Sequence, residues 1–298
     1  MAKSFSRPRI TPVRGGLRLS DANRRNALIR YYHYGNAGGG PTYSAEYQAV
    51  LNSGIGTPPA SEAGKQADDL LIQKAKEIGL WDASPCFFNH MTEGDAAYAC
   101  IDYKNPGVRT AELINSPTYT AKQGFKGDEV SAHIKYGWNP SSDGGGLYTI
   151  NDAGYIVYIT EKLTKNGIAD FGATSVPDGI FVNARRASDN SLVISIHGAG
   201  SLAGSTTEAQ SEGLFICRRK SSTNVDVLRG ADVILNDTQG STAIVNLELF
   251  GLCVNSGSGG SSFSGRRIGC MIPYKQSLVS SSDIKTMWDE HMARIALL

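Results

Sequence analysis

The sequence lacks the features that most enzyme and membrane classes require. Charged residues make up only 19% of its 298 residues, the net charge is +1, and no apolar run approaches membrane-spanning length. The absence of a Gly-Lys-Ser/Thr triplet excludes a P-loop, and no Gly-x-Ser-x-Gly elbow occurs. Prolines and arginines interrupt residues 1–18, so we expect no signal peptide.

The cysteines form no recognisable redox or metal motif. The five are an odd number, with no Cys-x-x-Cys pair, so we expect reduced and mostly buried thiols in a protein made in a reducing cytoplasm. They are Cys86, Cys100, Cys217, Cys253 and Cys270. Cys86, His90 and Cys100 could imitate metal ligands, but a fourth ligand and the spacing of a zinc finger are missing, so we assign them to the core or surface.

Catalytic and cofactor-binding patterns are also incomplete. Glycosidases need two carboxylates facing each other across the sugar, whereas the strand around Glu248 offers only one. Residues 198–203 match a permissive dinucleotide fingerprint, but too little chain follows for the helix that such a site needs, so we expect a loop there. The sequence therefore predicts a protein that is not an enzyme and has no cofactor or metal.

Short runs of β-branched and aromatic residues are abundant. They recur about every ten residues between Gly, Asn, Asp and Ser, which predicts antiparallel strands in a β-sandwich; parallel units would need intervening helices. Residues 187–190 are predicted to be the turn of a hairpin. The predicted strands are residues 97–103, 129–136, 147–151, 155–160, 179–185, 191–197, 213–219, 225–229, 243–254 and 267–272.

Two helices are predicted outside the strands. Ser61 can cap a helix that runs to Ile78 and stops at Gly79. Its narrow apolar face could pack on the sandwich or on copies of itself in a neighbouring subunit. Ser281 or Ser282 can cap a last helix. Its apolar residues have helical spacing and are predicted to pack on the core; they are Ile284, Met287, Trp288, Met292 and Ile295.

The first 56 residues differ in composition from the rest. Up to Arg30 the basic residues are nearly all arginine, against one acidic residue, Asp21, and apolar residues are too sparse to support independent folding. Such an arm could fold back on its own sandwich, bind single-stranded nucleic acid or dock on a protein, and we favour a protein partner because Arg suits bidentate contacts with carboxylates. The predicted anchoring residues are Arg7, Arg9, Arg14, Arg18, Arg24, Arg25, Tyr31 and Tyr32.

One loop has the composition of a sugar site. An aromatic ring can stack on a pyranose while amide and carboxylate groups bind hydroxyls. The candidate residues are Tyr136, Trp138, Asn139 and Asp143. The alternative, which we favour, is that Trp138 closes one end of the sandwich core.

Several motifs together resemble a known family. They are residues 78–82 (Ile-Gly-Leu-Trp-Asp), residues 224–233, a later strand at Gly251, residues 266–272 (Arg-Arg-Ile-Gly-Cys-Met-Ile) and the helical residues 278–293. Over about residues 65–298 the chain resembles the concanavalin A-like lectin/glucanase jelly roll, as it occurs at the C-terminus of bacteriophage virion proteins. Residues 83–86 (Ala-Ser-Pro-Cys) depart from the usual pattern, which affects the register of the first strand.

The resemblance implies a fibre, spike or decoration protein of a phage head or tail. We therefore predict a basic anchoring arm over residues 1–56, a linker helix over 57–80 and a concanavalin A-like β-sandwich over 81–298, which should fold without the arm. Other virion proteins would be the partners, and we expect a homo-oligomer, no membrane contact and no nucleic acid. An adhesin that binds host surface polysaccharide is the alternative function, followed by a glycan hydrolase.

Overall fold

The computed structural model describes residues 42–162, 169–175, 178–186, 188–198 and 200–298. A compact unit begins at Tyr43 and runs to Leu298. The anchoring residues predicted between Arg7 and Tyr32 lie outside the described residues. Part of the predicted arm, residues 43–56, and the predicted linker helix belong to the same compact unit as the β-strands.

The described residues contain five α-helices and many short strands. The helices are α1 (Ala45–Asn52), α2 (Glu62–Glu77), α3 (Leu80–Ala83), α4 (Pro140–Asp143) and α5 (Ser281–Ile295). The strands are β1 (Phe88–Asn89), β2 (Glu112–Ile114), β3 (Thr118–Thr120), β4 (Gly124–Lys126), β5 (His133–Lys135), β6 (Ala153–Ile159), β7 (Phe171–Ser175), β8 (Asp178–Arg186), β9 (Ser191–Ile196), β10 (Leu202–Ser205), β11 (Gly213–Arg219), β12 (Asn224–Arg229), β13 (Asp232–Thr238), β14 (Phe250–Gly251), β15 (Val254–Asn255), β16 (Gly260–Ser261) and β17 (Arg267–Tyr274).

The strands form two sheets that pack face to face, so the predicted antiparallel β-sandwich of jelly-roll type is confirmed. Sheet 1 has the order β13-β12-β11-β6-β17-β4-β3, with β1 paired to β17. Sheet 2 has the order β10-β9-β8-β7-β14-β5-β2, with β15 paired to β7 and to β16. The described pairs are antiparallel apart from the single β15–β7 contact. The predicted hairpin joins β8 to β9.

Sheet 1 is apolar on both faces, and each face packs against a different layer of the structure. In β6, Tyr155, Val157 and Ile159 lie in the core between the sheets. Ile156 lies in a second apolar cluster between sheet 1 and the helices, and Tyr158 packs against that cluster. This arrangement explains why the central strands are almost continuously apolar: alternation places half of their side chains on each face, and both faces are buried.

Helices α2 and α5 begin and end as their capping residues require. The Ser61 side chain accepts a hydrogen bond from the Gly64 N–H, and Gly79, with φ of 77°, follows the end of α2. The cap of α5 is Ser280, one residue before the predicted Ser281. The apolar stripe of α5 packs on sheet 1 as predicted, with Trp288 only 1% exposed.

Three predicted strands are wrong. Residues 97–103 contain a short 3₁₀ turn, Tyr98–Cys100, because the Asp95 carboxylate accepts a hydrogen bond from the Tyr98 N–H and closes a turn. Residues 147–151 contain only one bridge, between Thr149 and Asp152. Residues 243–254 pair only at β14 and β15, and Leu252, with φ of 67°, interrupts the run between them.

A buried carboxyl group joins α2 to the sandwich. Asp68 is 1% exposed, and its oxygens accept hydrogen bonds from Asn89 Nδ2 at 3.2 Å and Thr92 Oγ1 at 2.7 Å. No cation pairs with it among the described residues. Burial raises the pKa of Asp68 to about 7, since a carboxylate without a counter-ion is poorly solvated there.

The Asp68→Asn substitution should make stability less dependent on pH. The pKa of this carboxyl is ~4 in the unfolded chain and is raised to about 7 in the folded state. The free energy of unfolding therefore falls as the pH rises from about 4 to about 7, and this group causes no further loss above that interval. The variant should therefore gain stability relative to the natural protein between about pH 4 and about pH 7, by up to roughly 4 kcal/mol. Urea unfolding at about pH 5 and about pH 8 measures the gain; an equal difference at both would contradict this assignment.

Candidate functional site

The two aromatic residues of the predicted sugar loop are in the core. Tyr136 and Trp138 are both fully buried. The Trp138 ring packs edge-on against Tyr148 at 5.3 Å between ring centroids, and the Tyr136 ring stacks on His90 at 5.8 Å. Neither ring offers a face to a sugar, so the stacking prediction for these two residues is wrong. Trp138 belongs to the core between the sheets, which agrees with the alternative that it packs there.

The polar residues of the same loop hold its conformation. The Asn139 side chain accepts a hydrogen bond from the Ser141 N–H at 3.0 Å and so caps α4. The Asp143 carboxylate accepts one from the Asn139 N–H at 2.8 Å. Nearby, Glu248 accepts a hydrogen bond from the Gly137 N–H at 2.6 Å. These contacts fix the loop internally and, through Glu248 and a hydrogen bond from Asn139 Nδ2 to Asn246 Oδ1 at 2.9 Å, hold it against residues 246–248.

The possible metal ligands noted in the sequence are also internal. Cys86, His90 and Cys100 are buried, and His90 Nδ1 lies 2.7 Å from the Ala99 carbonyl oxygen. Burial lowers the pKa of His90 to about 4, so the ring is neutral near pH 7. All five cysteines are free and buried, as predicted. In the part of the chain that the structure describes, no three His, Cys, Asp or Glu side chains are grouped to hold a metal.

The open concave surface of sheet 2 lies on its outer face, away from sheet 1. We call it the Phe181 groove. It has a volume of about 250 Å³ and a mixed apolar and polar lining. The lining comprises Ala169, Thr174, Phe181, Asn183, Arg186, Val193, Ser201, Val254, Ser261 and Ser262. Most of these residues come from strands β7, β8 and β9 and from the β15–β16 hairpin, while Ala169, Ser201 and Ser262 lie beside strand ends. The sheet therefore forms the floor and the hairpin contributes to the wall.

Phe181 is the aromatic residue of this groove. In the sheet register its neighbours are Gly172 on β7 and Ser195 on β9, which leave its half-buried ring without large flanking side chains. Gly172 has φ of 144°, and a Cβ at that position would lie 2.2 Å from the Ile180 carbonyl oxygen and 2.5 Å from Phe181 Cβ. Glycine is therefore required beside Phe181.

The polar groups of the groove are neutral except for one cation. Thr174, Ser261 and Ser262 contribute hydroxyls, and the Arg186 guanidinium is paired with Asp189 at 2.5 Å. None of the described lining residues is Asp or Glu. The groove can therefore hold a ligand with an apolar face and hydroxyl groups, and its lining supplies no carboxylate pair for glycoside hydrolysis.

A buried ion pair supports one end of the groove. Asp170, next to Ala169 of the lining, is 1% exposed, and its Oδ2 lies 2.6 Å from Nη1 of the fully buried Arg266. The carboxylate also accepts hydrogen bonds from Ser264 Oγ and from the Ala184 N–H, each at 2.8 Å. Arg266 immediately precedes β17 of sheet 1, whereas Asp170 immediately precedes β7 of sheet 2, so the pair joins the two sheets.

The alternation of residues in β8 indicates that Phe181 lies on the outer face of sheet 2. In β8, Ile180, Val182 and Ala184 face the core. Strand alternation then places Phe181 and Asn183 on the outer face. An aromatic residue on the outer face of a sheet is a candidate for contact with a ligand, since such sites are lined by aromatic and a few polar side chains. The sequence alone does not single out Phe181, because both faces of this strand carry apolar residues.

The architecture is an antiparallel β-sandwich with a helical layer over one sheet. No protein-family model matches the chain, and no curated protein sequence matches it. None of the helices in the described ranges is long and apolar enough to cross a membrane.

Several solved β-sandwich domains resemble the chain. Domain 4 of the extracellular arabinanase AbnA from Geobacillus stearothermophilus is 12% identical, with a TM-score of 0.42, covering 69% of this chain and 98% of that one. Trypanosoma rangeli sialidase is 11% identical, with a TM-score of 0.47 and coverages of 75% and 39%. The receptor-binding domain of botulinum neurotoxin C/D mosaic serotype is 10% identical, with a TM-score of 0.47 and coverages of 70% and 52%.

These similarities are limited in extent. The match spans nearly all of the arabinanase domain but only about two fifths of the sialidase and half of the toxin domain. All three TM-scores lie below 0.5. The fold is therefore assigned from the two sheets of this chain and not from these similarities.

The Asp170→Asn substitution should destabilise the fold strongly. It removes the charge that compensates Arg266 and leaves a buried guanidinium without a counter-ion, which costs roughly 3–5 kcal/mol. Glu77→Gln is a suitable control, since it removes the partner of Lys74 in a solvent-exposed ion pair on α2. Chemical unfolding compares the two variants; an Asp170→Asn protein as stable as the control would show that the pair does not hold the sheets together.

Proposed function

We propose that this protein is a non-enzymatic, glycan-binding β-sandwich of a bacteriophage virion. The Phe181 groove carries the glycan-binding part of the proposal. A half-buried ring set among small residues presents an apolar surface of the kind that packs on the C–H face of a pyranose. The hydroxyls of Thr174, Ser261 and Ser262 can exchange hydrogen bonds with those of the sugar.

The charge and size of the groove favour a neutral sugar bound weakly. Its one cation, Arg186, is already paired with Asp189, and no carboxylate of the described lining opposes it. A volume of about 250 Å³ is at the low end for ligand sites, which suits one or two sugar units of a longer chain. Weak single contacts become useful when several copies act together, consistent with the predicted homo-oligomer.

The Phe181→Ala substitution should weaken glycan binding by roughly two- to tenfold. It removes the stacking surface, and such aromatic contacts contribute ~0.5–1.5 kcal/mol, where 1.4 kcal/mol is a factor of ten. The measurement is binding of the full chain to an array of neutral and acidic oligosaccharides, followed by titration with the strongest neutral one.

Val233→Ala is the matched control for this experiment. It removes a side chain that is 56% exposed from β13, on sheet 1. Both variants must melt as the natural protein does. Absence of binding to every neutral glycan, or equal binding by the Phe181→Ala and Val233→Ala proteins, would refute glycan recognition at this groove.

The virion part of the proposal depends on the family resemblance and on the composition of the N-terminal arm. The arginines between Arg7 and Arg25 suit bidentate contacts with carboxylates on other virion proteins. Because the compact unit starts at Tyr43, the proposed anchor is the chain that precedes it. The protein would be made in the host cytoplasm and then assembled into the particle through this arm.

Removal of residues 1–41 should leave a folded protein that no longer enters particles. Replacement of Arg24 and Arg25 by Glu should weaken incorporation, because it reverses the charge presented to an acidic surface. Replacement of the same two residues by Lys keeps the charge and should have a smaller effect. Quantitative blotting of purified particles measures incorporation. Normal incorporation of the truncated protein would contradict the anchoring role.

A further inference from the structure

A second concave site lies on the opposite side of the sandwich from the Phe181 groove. We call it the α5 pocket, because helix α5 forms one of its walls. Its volume is about 610 Å³, within the range of ligand-binding cavities. Tyr158 of sheet 1 and Met292 of α5 are half-buried and supply apolar surface, and the buried Leu214 and Trp288 also belong to the lining. Lys122 and Arg229 belong to the polar part of its lining.

The apolar surface of the pocket includes an aromatic residue that also carries a hydroxyl group. Tyr158 lies on the central strand β6 and packs beside Trp288, with 5.9 Å between ring centroids. Its ring is only half-buried, so part of the side chain belongs to the surface of the pocket. Burial raises the pKa of Tyr158, so the hydroxyl stays protonated and can donate a hydrogen bond.

The charges of the pocket leave an excess of cations. Asp289 pairs with Lys285, and Glu212 pairs with Lys162 at 3.5 Å, so both carboxylates of the lining are compensated. Lys122 has no ion-pair partner in the part of the chain that the structure describes.

Arg229 also lacks a carboxylate partner among the described residues. Its Nε donates to the Glu212 carbonyl oxygen at 3.1 Å, which fixes the guanidinium beside the pocket. Two uncompensated cations next to an aromatic surface favour an anionic ligand that also has an apolar face.

We infer that the α5 pocket binds a carboxylated sugar of the uronic acid class, separately from the neutral sugar proposed for the Phe181 groove. The pyranose ring would pack against Tyr158, and its carboxylate would lie between Lys122 and Arg229. Gln123 and Thr160, also in the lining, are neutral groups that can hydrogen-bond to the sugar hydroxyls.

The test is titration of the full chain with glucuronate and, as the uncharged counterpart, glucose. Calorimetry or NMR should show glucuronate binding that weakens as salt rises from about 0.05 M to about 0.5 M, because the contact is ionic and partly exposed. The Lys122→Glu substitution should weaken glucuronate binding by roughly tenfold, since it replaces an attractive charge with a repulsive one. The Phe181→Ala substitution should not alter it.

Lys65→Glu is the matched control. Lys65 lies on α2, outside the pocket lining, and has no ion pair among the described residues. The Lys65→Glu substitution therefore changes the net charge by the same amount as Lys122→Glu without touching the pocket. Thr160→Phe is a second test, as it fills the pocket without changing charge and should block glucuronate. Equal affinity for glucuronate and glucose, no glucuronate binding, or the same affinity in the Lys122→Glu and Lys65→Glu proteins would overturn the inference.

Discussion

The fold depends on one constraint, which is that sheet 1 is apolar on both faces. Its central strands β6, β11 and β17 put alternate side chains into two different apolar clusters. A sheet of this kind cannot leave either face in water, because every large aliphatic side chain left exposed forfeits about 1.5–3 kcal/mol. Sheet 2 covers one face, and helices α1, α2, α3 and α5 contribute to the cover of the other. The helices are therefore an integral layer of the compact unit.

This constraint also explains what the sequence predicted well. Strands β6, β8, β9, β11, β12 and β17 were located because their apolar runs are long and bounded by turn residues. Helices α2 and α5 were located because a serine cap precedes an apolar stripe of helical period. The sequence pattern does not show which surface α2 packs against. A narrow apolar face is equally compatible with packing on a neighbouring subunit and on sheet 1, and only the structure separates them.

The strands that were missed are short or contain residues that strands disfavour. Strand β7 contains Gly172, β10 contains Gly204, and β13 carries several polar residues. Their pairing is imposed by neighbouring strands rather than by their own propensity. The prediction that Tyr136 and Trp138 bind a sugar was wrong for a related reason. Trp138 was recognisable as an aromatic residue between loop-forming residues. Whether such a ring points into the core or outward depends on packing in the folded chain, where it contacts Tyr148, and that packing is not visible in the local sequence.

The asymmetry between the two sheets decides where ligands can bind. Helices pack on the outer face of the central strands of sheet 1, and beside α5 they leave Tyr158 half-buried at the edge of this cover. Sheet 2 has no such helical layer among the described residues, and the β15–β16 hairpin covers only part of its outer face. The buried Asp170–Arg266 pair matters here, because it anchors the start of β7 to sheet 1 and so limits how far the floor of the Phe181 groove can move. A rigid floor of backbone-paired strands, with small residues around a single aromatic ring, reduces the ordering cost of binding a weak ligand.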